Sequence, residues 1–280
     1  QPMQKSKKSP VNRRSFLKGA AAGAAAFVAK PAAAAAQQPA PAPAQASTVK
    51  AEGETCHASD YIVDIFKSLG IEYAFAMPAG NFAGIIESVV HYGGNKNPEW
   101  ITCMHEESSV AMANGYAKIE GKPALVCAHS TVGLQHATMA VYDAWSDRVP
   151  IYMVLGNTQD TAQRNDRVTW AHSAMDPCAI IRDMTKWDNN PISTTGFAEA
   201  AVRAYKIAVT PPMGPVAIVV DEHRHVEEIP ASTRVPKFTM PSAPQGDSSA
   251  VAEAAKLLVA AQNPVIVTER AARTPAGLKL

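Results

Sequence analysis

Short apolar runs alternate with longer helical segments along most of this 280-residue chain. The segments between the runs carry apolar residues at helical spacing, and most of them end at or near a glycine or a proline. The pattern predicts strands at 73–77, 100–104, 124–128, 151–155 and 216–220, and helices at 59–69, 82–92, 108–119, 134–145 and 197–209. Strands joined by helices favour βαβ units. We therefore expect an α/β fold, with a doubly wound parallel sheet that has helices on both faces.

The loops at one edge of such a sheet are the places to look for a site. In open parallel sheets, ligands bind beyond the carboxyl ends of the strands. Four loops follow predicted strands at that edge, at 78–81, 104–107, 129–133 and 156–164. The fingerprints GxGxxG, Walker A and GxSxG are absent from the sequence, which argues against dinucleotide binding, nucleotide triphosphate binding and a hydrolase nucleophile elbow.

Charge is distributed unevenly between the two parts of the chain. Residues 1–50 hold eight basic and no acidic residues, whereas residues 51–280 hold the other 18 basic residues and all 25 acidic ones. The body is therefore acidic, with a net charge of −7, and nucleic acid is not an expected partner. Four scattered cysteines do not fit a disulfide framework or a paired-cysteine metal site, and we expect them to be free thiols.

The first 36 residues have the order of an export signal. Lysines come first, Arg13 and Arg14 stand before Phe16-Leu17-Lys18, and a weakly apolar, alanine-rich run follows. This order resembles a twin-arginine signal, with Asn12 where Ser or Thr is more usual, and it predicts a periplasmic protein. The alternatives are a basic disordered tail and a cytoplasmic protein whose signal is not used. The run is too short and too weakly apolar to span a bilayer, so no membrane association is expected after signal removal.

Composition also indicates the domain boundaries. Residues 37–51 form a linker rich in Pro, Ala and Gln, and a proline-rich linker covers 230–247. The folded domain is then expected at 52–229. Residues 248–280 hold a predicted helix at 249–261 and a predicted strand at 264–268, too little to bury a core, so we expect the incomplete start of a second, central α/β domain.

Two side chains at strand ends could carry chemistry. Glu106 lies where a predicted strand meets a helix of small residues, and a carboxylate kept there can share a proton with a ligand nitrogen. His129 follows the next strand and could move a proton near neutral pH. A helix-stabilising carboxylate and a structural loop histidine are the alternative interpretations of these two residues.

Several motifs in order resemble the thiamine-diphosphate-dependent decarboxylase and acetolactate synthase superfamily. They are Phe75 to Asn81, His105-Glu106 with Ala113 to Lys118, His129-Ser130 with Gly133, Asp143 to Trp145, and Pro212 to Val220. The similarity covers about residues 53–225, and its loops are most similar to those of benzoylformate decarboxylases.

The resemblance implies the pyrimidine-binding domain of a lyase or carboligase that acts on 2-oxo acids. Glu106 matches the glutamate that bonds the aminopyrimidine ring, and His129 matches a proton-transferring histidine. Cofactor-binding positions are then expected at Pro78, Gly80, Asn81, Gly133 and Gln135 as well as at Glu106. No metal ligand is expected, because the family holds diphosphate and Mg²⁺ with a Gly-Asp-Gly…Asn-Asn segment of a C-terminal domain that this sequence does not contain. The complete enzyme is expected to be a homodimer or homotetramer, with this chain alone an incomplete part of it.

Two positions depart from the benzoylformate decarboxylase pattern. Gly80 stands where that pattern has a substrate-contacting serine, and His136 stands where it has an asparagine. The particular 2-oxo acid therefore stays open. A stand-alone, non-catalytic binding or regulatory module and one subunit of a split enzyme are the alternative functions.

Overall fold

The computed structural model describes residues 53–129, 131–240, 242 and 245–268. The expected signal at 1–36 and the linker at 37–51 lie outside these residues. The strands are β1 Thr55–His57, β2 Tyr73–Ala76, β3 Glu99–Thr102, β4 Leu125–His129, β5 Tyr152–Asn157, β6 Trp187–Asn189, β7 Val216–Asp221 and β8 Glu228–Pro230. The α-helices are α1 Ala58–Ser68, α2 Ala83–Glu87, α3 Glu106–Glu120, α4 Val132–Ser146, α5 Arg167–His172, α6 Thr194–Val209 and α7 Ser248–Ala260.

Six of the strands form one parallel sheet, in the order β3-β2-β4-β5-β7-β6. This confirms the predicted α/β class. The edge strand β6 was not predicted, because Trp187-Asp188-Asn189 is polar and only half-buried, so it lacks the apolar run of a central strand. The short antiparallel pair β1–β8, which joins the two ends of the domain, was also not predicted.

Helices cover both faces of the sheet, as a doubly wound fold requires. Buried side chains of α1 and α6, such as Phe66 and Ala201, pack on one face. Buried side chains of α3 and α4, such as Val110 and Leu134, pack on the other. Small residues on α3 and α4 let these two helices approach each other and the sheet closely. The site described below lies at the carboxyl edge of this sheet.

The strand order creates a crevice beside β2 and β4. These strands are neighbours, but the chain leaves β2 toward the face of α2 and leaves β4 toward the face of α4. Such a switch point opens a gap between the connecting loops at the carboxyl edge. The segments that follow β2, β3 and β4 meet around this gap.

Two predicted elements need correction. The helix at 82–92 is interrupted: a 3₁₀ turn at Gly80–Phe82 precedes α2, and a π-helical turn at Ser88–Tyr92 follows it. The strand at 264–268 is wrong, because these residues are exposed and pair with no other strand among those the structure describes. A lone strand has no hydrogen-bonding partner, so an apolar sequence alone does not make it form. The helix at 249–261 is confirmed as α7, one residue earlier.

The cysteines behave as packing residues. All four are described, and no disulfide joins them; Cys103, Cys127 and Cys178 are buried. Burial is the largest of several effects on Cys178 and raises the pKa of its thiol to about 12, which keeps the reactive thiolate scarce. Among the described residues, no helix has the length and apolar character needed to cross a membrane.

Candidate active site

Glu106 is the first residue of α3, directly after the strand β3 and its short loop. The helix begins there because His105 is extended and its ring nitrogen Nδ1 accepts a hydrogen bond from the Glu107 backbone N–H, at 3.3 Å. The two glutamates of the first turn differ: Glu107 is exposed, whereas Glu106 is only 5% exposed. Helix stabilisation needs no burial, so the burial of Glu106 calls for another explanation.

The Glu106 carboxylate lies against Gly133, near the start of α4. A Cβ atom at position 133 would be 2.4 Å from Oε1 of Glu106 and 2.8 Å from its Cδ. The glycine therefore leaves the space that the carboxylate occupies. Within the described part of the chain, no group donates a hydrogen bond to this carboxylate, so its oxygens are available to a ligand.

His129 is the last residue of β4 and lies beside Gly156 of β5 in the sheet register. Its Nδ1 atom is buried and has no hydrogen-bond partner among the described residues. Burial lowers the pKa of His129 most, and His172 lowers it further, while Glu106 and Glu222 act in the opposite direction. The net lowering favours the neutral, basic imidazole at neutral pH.

Asn81 closes the crevice from the β2 side. This residue is 6% exposed, and its Nδ2 donates a hydrogen bond to the carbonyl oxygen of Gly156 at 2.7 Å. Its Oδ1 is buried and has no partner in the described part of the structure. A Cβ atom at Gly156 would lie 2.8 Å from Cγ of Asn81, so glycine is needed there for this contact.

The loop after β5 is held by buried polar groups, although its sequence shows no periodicity. Asn157 exchanges two hydrogen bonds with the backbone of Ala174, at 3.0 and 3.1 Å. The side chain of Arg164, 5% exposed, donates to the carbonyl oxygens of Thr158 and Ala174 at 2.9 and 3.3 Å. Its guanidinium also stacks over Trp170, 5.3 Å from the ring centre. This loop carries α5, whose last residue is His172.

The turn after β7 supports the same edge. The buried Asp221 carboxylate accepts hydrogen bonds from the backbone N–H groups of Gln159 and His223, at 2.6 and 2.9 Å. Next to it, Glu222 accepts a hydrogen bond from the hydroxyl of Thr158. These bonds tie the turn after β7 to the loop after β5 and place the Glu222 charge near His129.

The structure brings together four of the residues predicted from the sequence. Asn81, Glu106, His129 and Gly133 lie around the crevice between the ends of β2 and β4. Pro78, Gly80 and Gln135 are exposed, the first two in the turn before α2 and the third on α4, and their cofactor role stays a prediction. A Cβ atom at Gly80 would meet nothing within 4 Å, so the position has room for the serine of the benzoylformate decarboxylase pattern.

Three participants were not predicted from the sequence. Gly156, His172 and Glu222 reach the site from the ends of β5, α5 and β7. Gly156 could have been predicted, because it follows a predicted strand at the carboxyl edge. No motif or periodicity in the sequence around His172 indicates that this residue reaches the site.

The ring of His136, the other departure from the pattern, lies 4.6 Å from the ring of His105. In the described residues, no group of three possible metal ligands comes together.

Comparison with known proteins identifies two parts of the chain. Residues 56–180 match the family model described as thiamine pyrophosphate enzyme, N-terminal TPP binding domain. Residues 10–29 match the model of the TAT (twin-arginine translocation) pathway signal sequence. The signal match supports twin-arginine export to the periplasm.

Relatives and solved structures agree with the domain assignment. The chain is 23% identical over 235 residues to an acetolactate synthase of Bacillus subtilis, covering 84% of this chain and 39% of the relative. It is 23% identical to a benzoylformate decarboxylase of Pseudomonas aeruginosa, covering 76% of this chain and 39% of that one. The structure of a thiamine diphosphate-dependent 4-hydroxybenzoylformate decarboxylase from Rhodococcus jostii RHA1 has the same fold, with a TM-score of 0.65 and 20% identity over 75% of this chain and 38% of that one.

The chain thus spans about two fifths of the length of these relatives. The matched region begins in β1 and contains the crevice with Asn81, Glu106, His129 and Gly133. Residues 56–180 of this chain are therefore an N-terminal TPP binding domain of the thiamine pyrophosphate enzymes.

Proposed function

We propose that this chain supplies the pyrimidine-binding half of the active site of a thiamine-diphosphate-dependent lyase or carboligase that acts on 2-oxo acids. The observation that carries the proposal is the buried Glu106 carboxylate, kept at the sheet edge by the missing side chain of Gly133. A buried carboxylate without a donor is costly unless a ligand completes its hydrogen bonds.

The residues present fit the aminopyrimidine of the cofactor. A ring nitrogen would complete the hydrogen bonding of Glu106, and the unpartnered Oδ1 of Asn81 is a second buried acceptor at the same edge. When bound, thiamine diphosphate supplies the nucleophilic carbon that attacks the carbonyl group of a 2-oxo acid. Glu106 would hold and exchange a proton at the pyrimidine ring, and the burial of its carboxylate would strengthen that bond.

His129 is the group that we propose to handle the substrate proton. Its lowered pKa leaves the imidazole neutral at neutral pH, so it can take up a proton and return it. The substrate class follows from the relatives named as acetolactate synthases and a benzoylformate decarboxylase.

The diphosphate and Mg²⁺ would be held elsewhere. The sequence contains no Gly-Asp-Gly…Asn-Asn segment, and the buried Asp221 already accepts backbone hydrogen bonds. We propose that another domain or subunit supplies the ligands for Mg²⁺ and the diphosphate. The site would then be complete only when that domain or subunit is present.

The outer surface of α3 and α4 is the proposed contact between two copies of the chain, in a homodimer or homotetramer. Met112 of α3 is 45% exposed, and Met139 and Tyr142 of α4 are 57% and 49% exposed. These helices bury their inner faces within the domain, so their exposed apolar side chains are left for a partner to cover. Apolar surface of this kind is typical of a protein interface.

A matched pair of substitutions tests the function. In the complete protein from its host, supplied with thiamine diphosphate and Mg²⁺, Glu106→Gln is expected to lower kcat/KM for 2-oxo acids by about 100-fold or more, because glutamine cannot exchange the proton. Glu107→Gln, at the exposed neighbour, is the control and should leave turnover unchanged. Steady-state kinetics on a panel of aliphatic and aromatic 2-oxo acids provide the measurement.

The other outcomes separate the alternatives. Full activity of Glu106→Gln would refute the assigned role. A wild-type protein that binds the cofactor and turns over no 2-oxo acid would instead indicate a non-catalytic binding module. Activity that appears only after a second polypeptide is added would indicate a split enzyme.

A further inference from the structure

A second histidine lies next to His129 and has no part in the function proposed above. The rings of His129 and His172 are 5.0 Å apart between centres, with their planes inclined at 60°. His172 ends the short helix α5, which belongs to the loop after β5. The two residues are 43 positions apart in the sequence, so only the path of this loop brings them together.

The position of His172 is fixed by several hydrogen bonds. Asp166 caps α5, because its Oδ1 accepts from the Thr169 backbone N–H at 2.7 Å. After the helix, Asn157 binds the backbone of Ala174. Arg164 stacks over Trp170 in the middle of α5. The short helix is therefore held at both ends, and the imidazole of His172 is presented to the crevice in a defined place.

One hydrogen bond indicates that Nδ1 of His172 carries a hydrogen. Its Nδ1 lies 2.6 Å from the carbonyl oxygen of Val168. A carbonyl oxygen only accepts, so Nδ1 carries the hydrogen and donates it.

We propose that His172 is a positioning residue for His129, and that the two imidazoles act as one unit that holds a single proton at the carboxyl edge of the sheet. The proposal rests on the proposed function in one respect, because it assumes that His129 moves the substrate proton. His172 would not touch the reacting atoms. It would keep His129 neutral, and hence basic, when a substrate arrives.

The charges around His129 support this role. Three ionisable groups act on it from three elements: Glu106 from α3, His172 from α5 and Glu222 after β7. Both carboxylates raise the pKa of His129 and would favour an imidazolium. His172 is the one group of the three that lowers this pKa, in the same direction as burial. At a ring separation of 5.0 Å, a positive charge on His172 opposes protonation of His129.

The test measures the pKa of His129 directly, without substrate or turnover. Exchange of the imidazole Cε1 hydrogen for deuterium at a series of pH values, measured by mass spectrometry, gives a titration curve for each histidine of the complete protein. His172→Gln should raise the pKa of His129 by about half to one pH unit, because a like charge is removed. His172→Arg, which places a permanent positive charge there, should lower it. His91→Gln, at an exposed histidine in the π-helical turn after α2, should not change it.

The pH profile of kcat/KM then shows whether His172 positions His129 for turnover or only lies near it. In His172→Gln, the acidic limb of the kcat/KM profile should move to higher pH by the same amount as the pKa of His129. An unchanged pKa of His129 in both His172 variants would overturn the proposal. A shifted pKa with an unmoved acidic limb would also overturn it. A wild-type protein without turnover of 2-oxo acids would refute the proposed function instead, so the two failures are distinguishable.

Discussion

At the scale of single residues, the site depends on space that two glycines leave open. Gly133 makes room for the Glu106 carboxylate, and Gly156 makes room for the Asn81 amide. Neither glycine has a positive φ, so backbone conformation does not require them. Their role is to let a polar side chain approach the backbone of a neighbouring element closely.

Gly133→Ala should therefore lower kcat/KM strongly while the domain still folds. The new Cβ would lie 2.4 Å from Oε1 of Glu106, so the carboxylate must move. A displacement of about 1 Å can cost about 100-fold in rate, and we expect a loss of that order in kcat/KM. Gly246→Ala is the control, because its Cβ would make only an ordinary contact of 3.5 Å with Val251. Unchanged kcat/KM in Gly133→Ala would contradict the packing argument.

Buried His225 gives the domain a defined sensitivity to acid. The residue is 1% exposed, and burial lowers its pKa to about 4. An unfolded histidine has a pKa of about 6.5, so the unfolded state binds the proton more tightly. The stabilisation is complete above pH 6.5 and is lost as the pH falls toward 4.

We expect His225 to account for a loss of about 2 kcal/mol in the free energy of unfolding between pH 7 and pH 5. Urea denaturation of the wild type and of His225→Gln at both pH values measures it. The variant should lose less stability on acidification, even if it is less stable at pH 7. Exposed His91→Gln should behave as the wild type does. Equal losses in all three proteins would refute the assignment to His225.

At the scale of elements, the loop after β5 is held by hydrogen bonds of buried side chains, although its sequence has no helical or strand periodicity. Arg164 is almost fully buried, and the contacts that the structure gives its guanidinium are backbone carbonyls, the sulfur of Met175 and the ring of Trp170. Each bond to a carbonyl satisfies an acceptor that no regular element pairs. The guanidinium thus organises the segment that carries α5.

Arg164→Lys should loosen this loop without unfolding the domain. Lysine keeps the charge but loses the planar fork, so the carbonyl groups of Thr158 and Ala174 lose a donor, at a cost of about 1–3 kcal/mol. Backbone amide exchange at 159–174 should speed up by about 10-fold or more. The same change at exposed Arg167 is the control. Identical exchange in the two variants would show that Arg164 does not hold the loop.

At the scale of the whole molecule, the acidic domain exposes large apolar side chains on α3 and α4, the two helices that begin at the crevice. Large apolar side chains there cannot be buried within the domain, because the inner faces of both helices already pack on the sheet. A second copy of the chain could cover them. Both helices begin at the crevice, with Glu106 and Gly133 in their first turns.

Met139→Lys is expected to weaken self-association of the complete protein. Removing a buried methionine contact costs about 1.5–3 kcal/mol, which corresponds to a rise in the dimer Kd of at least about 10-fold. Sedimentation equilibrium over a range of concentrations measures this Kd. Ile192→Lys, at a side chain that is 77% exposed in the segment between β6 and α6, is the matched control. An unchanged Kd for Met139→Lys would place the interface elsewhere.

The sequence predicted the fold class and much of the site because both depend on local patterns. Apolar runs mark the central strands, and the ends of parallel strands must meet at one edge, so the pattern alone predicts that Glu106 and His129 lie at the same edge. Polar β6 and the pairing of β1 with β8 could not be predicted, because an edge strand is defined by its partner. The strand predicted at 264–268 did not form, because the described residues offer it no partner strand.

Sequence alone thus determined the parallel sheet, the alternation of helix and strand, and the position of Glu106 and His129 at the ends of strands. Tertiary structure decided which groups surround them: the clearance at Gly133, the contact of Asn81 with Gly156, and the pairing of His129 with His172. The physical reason is the separation along the chain over which each kind of interaction acts. Periodicity reports on neighbours along the chain, whereas the path of the loop from Thr158 to Asp176 is set by single hydrogen bonds to residues on other elements.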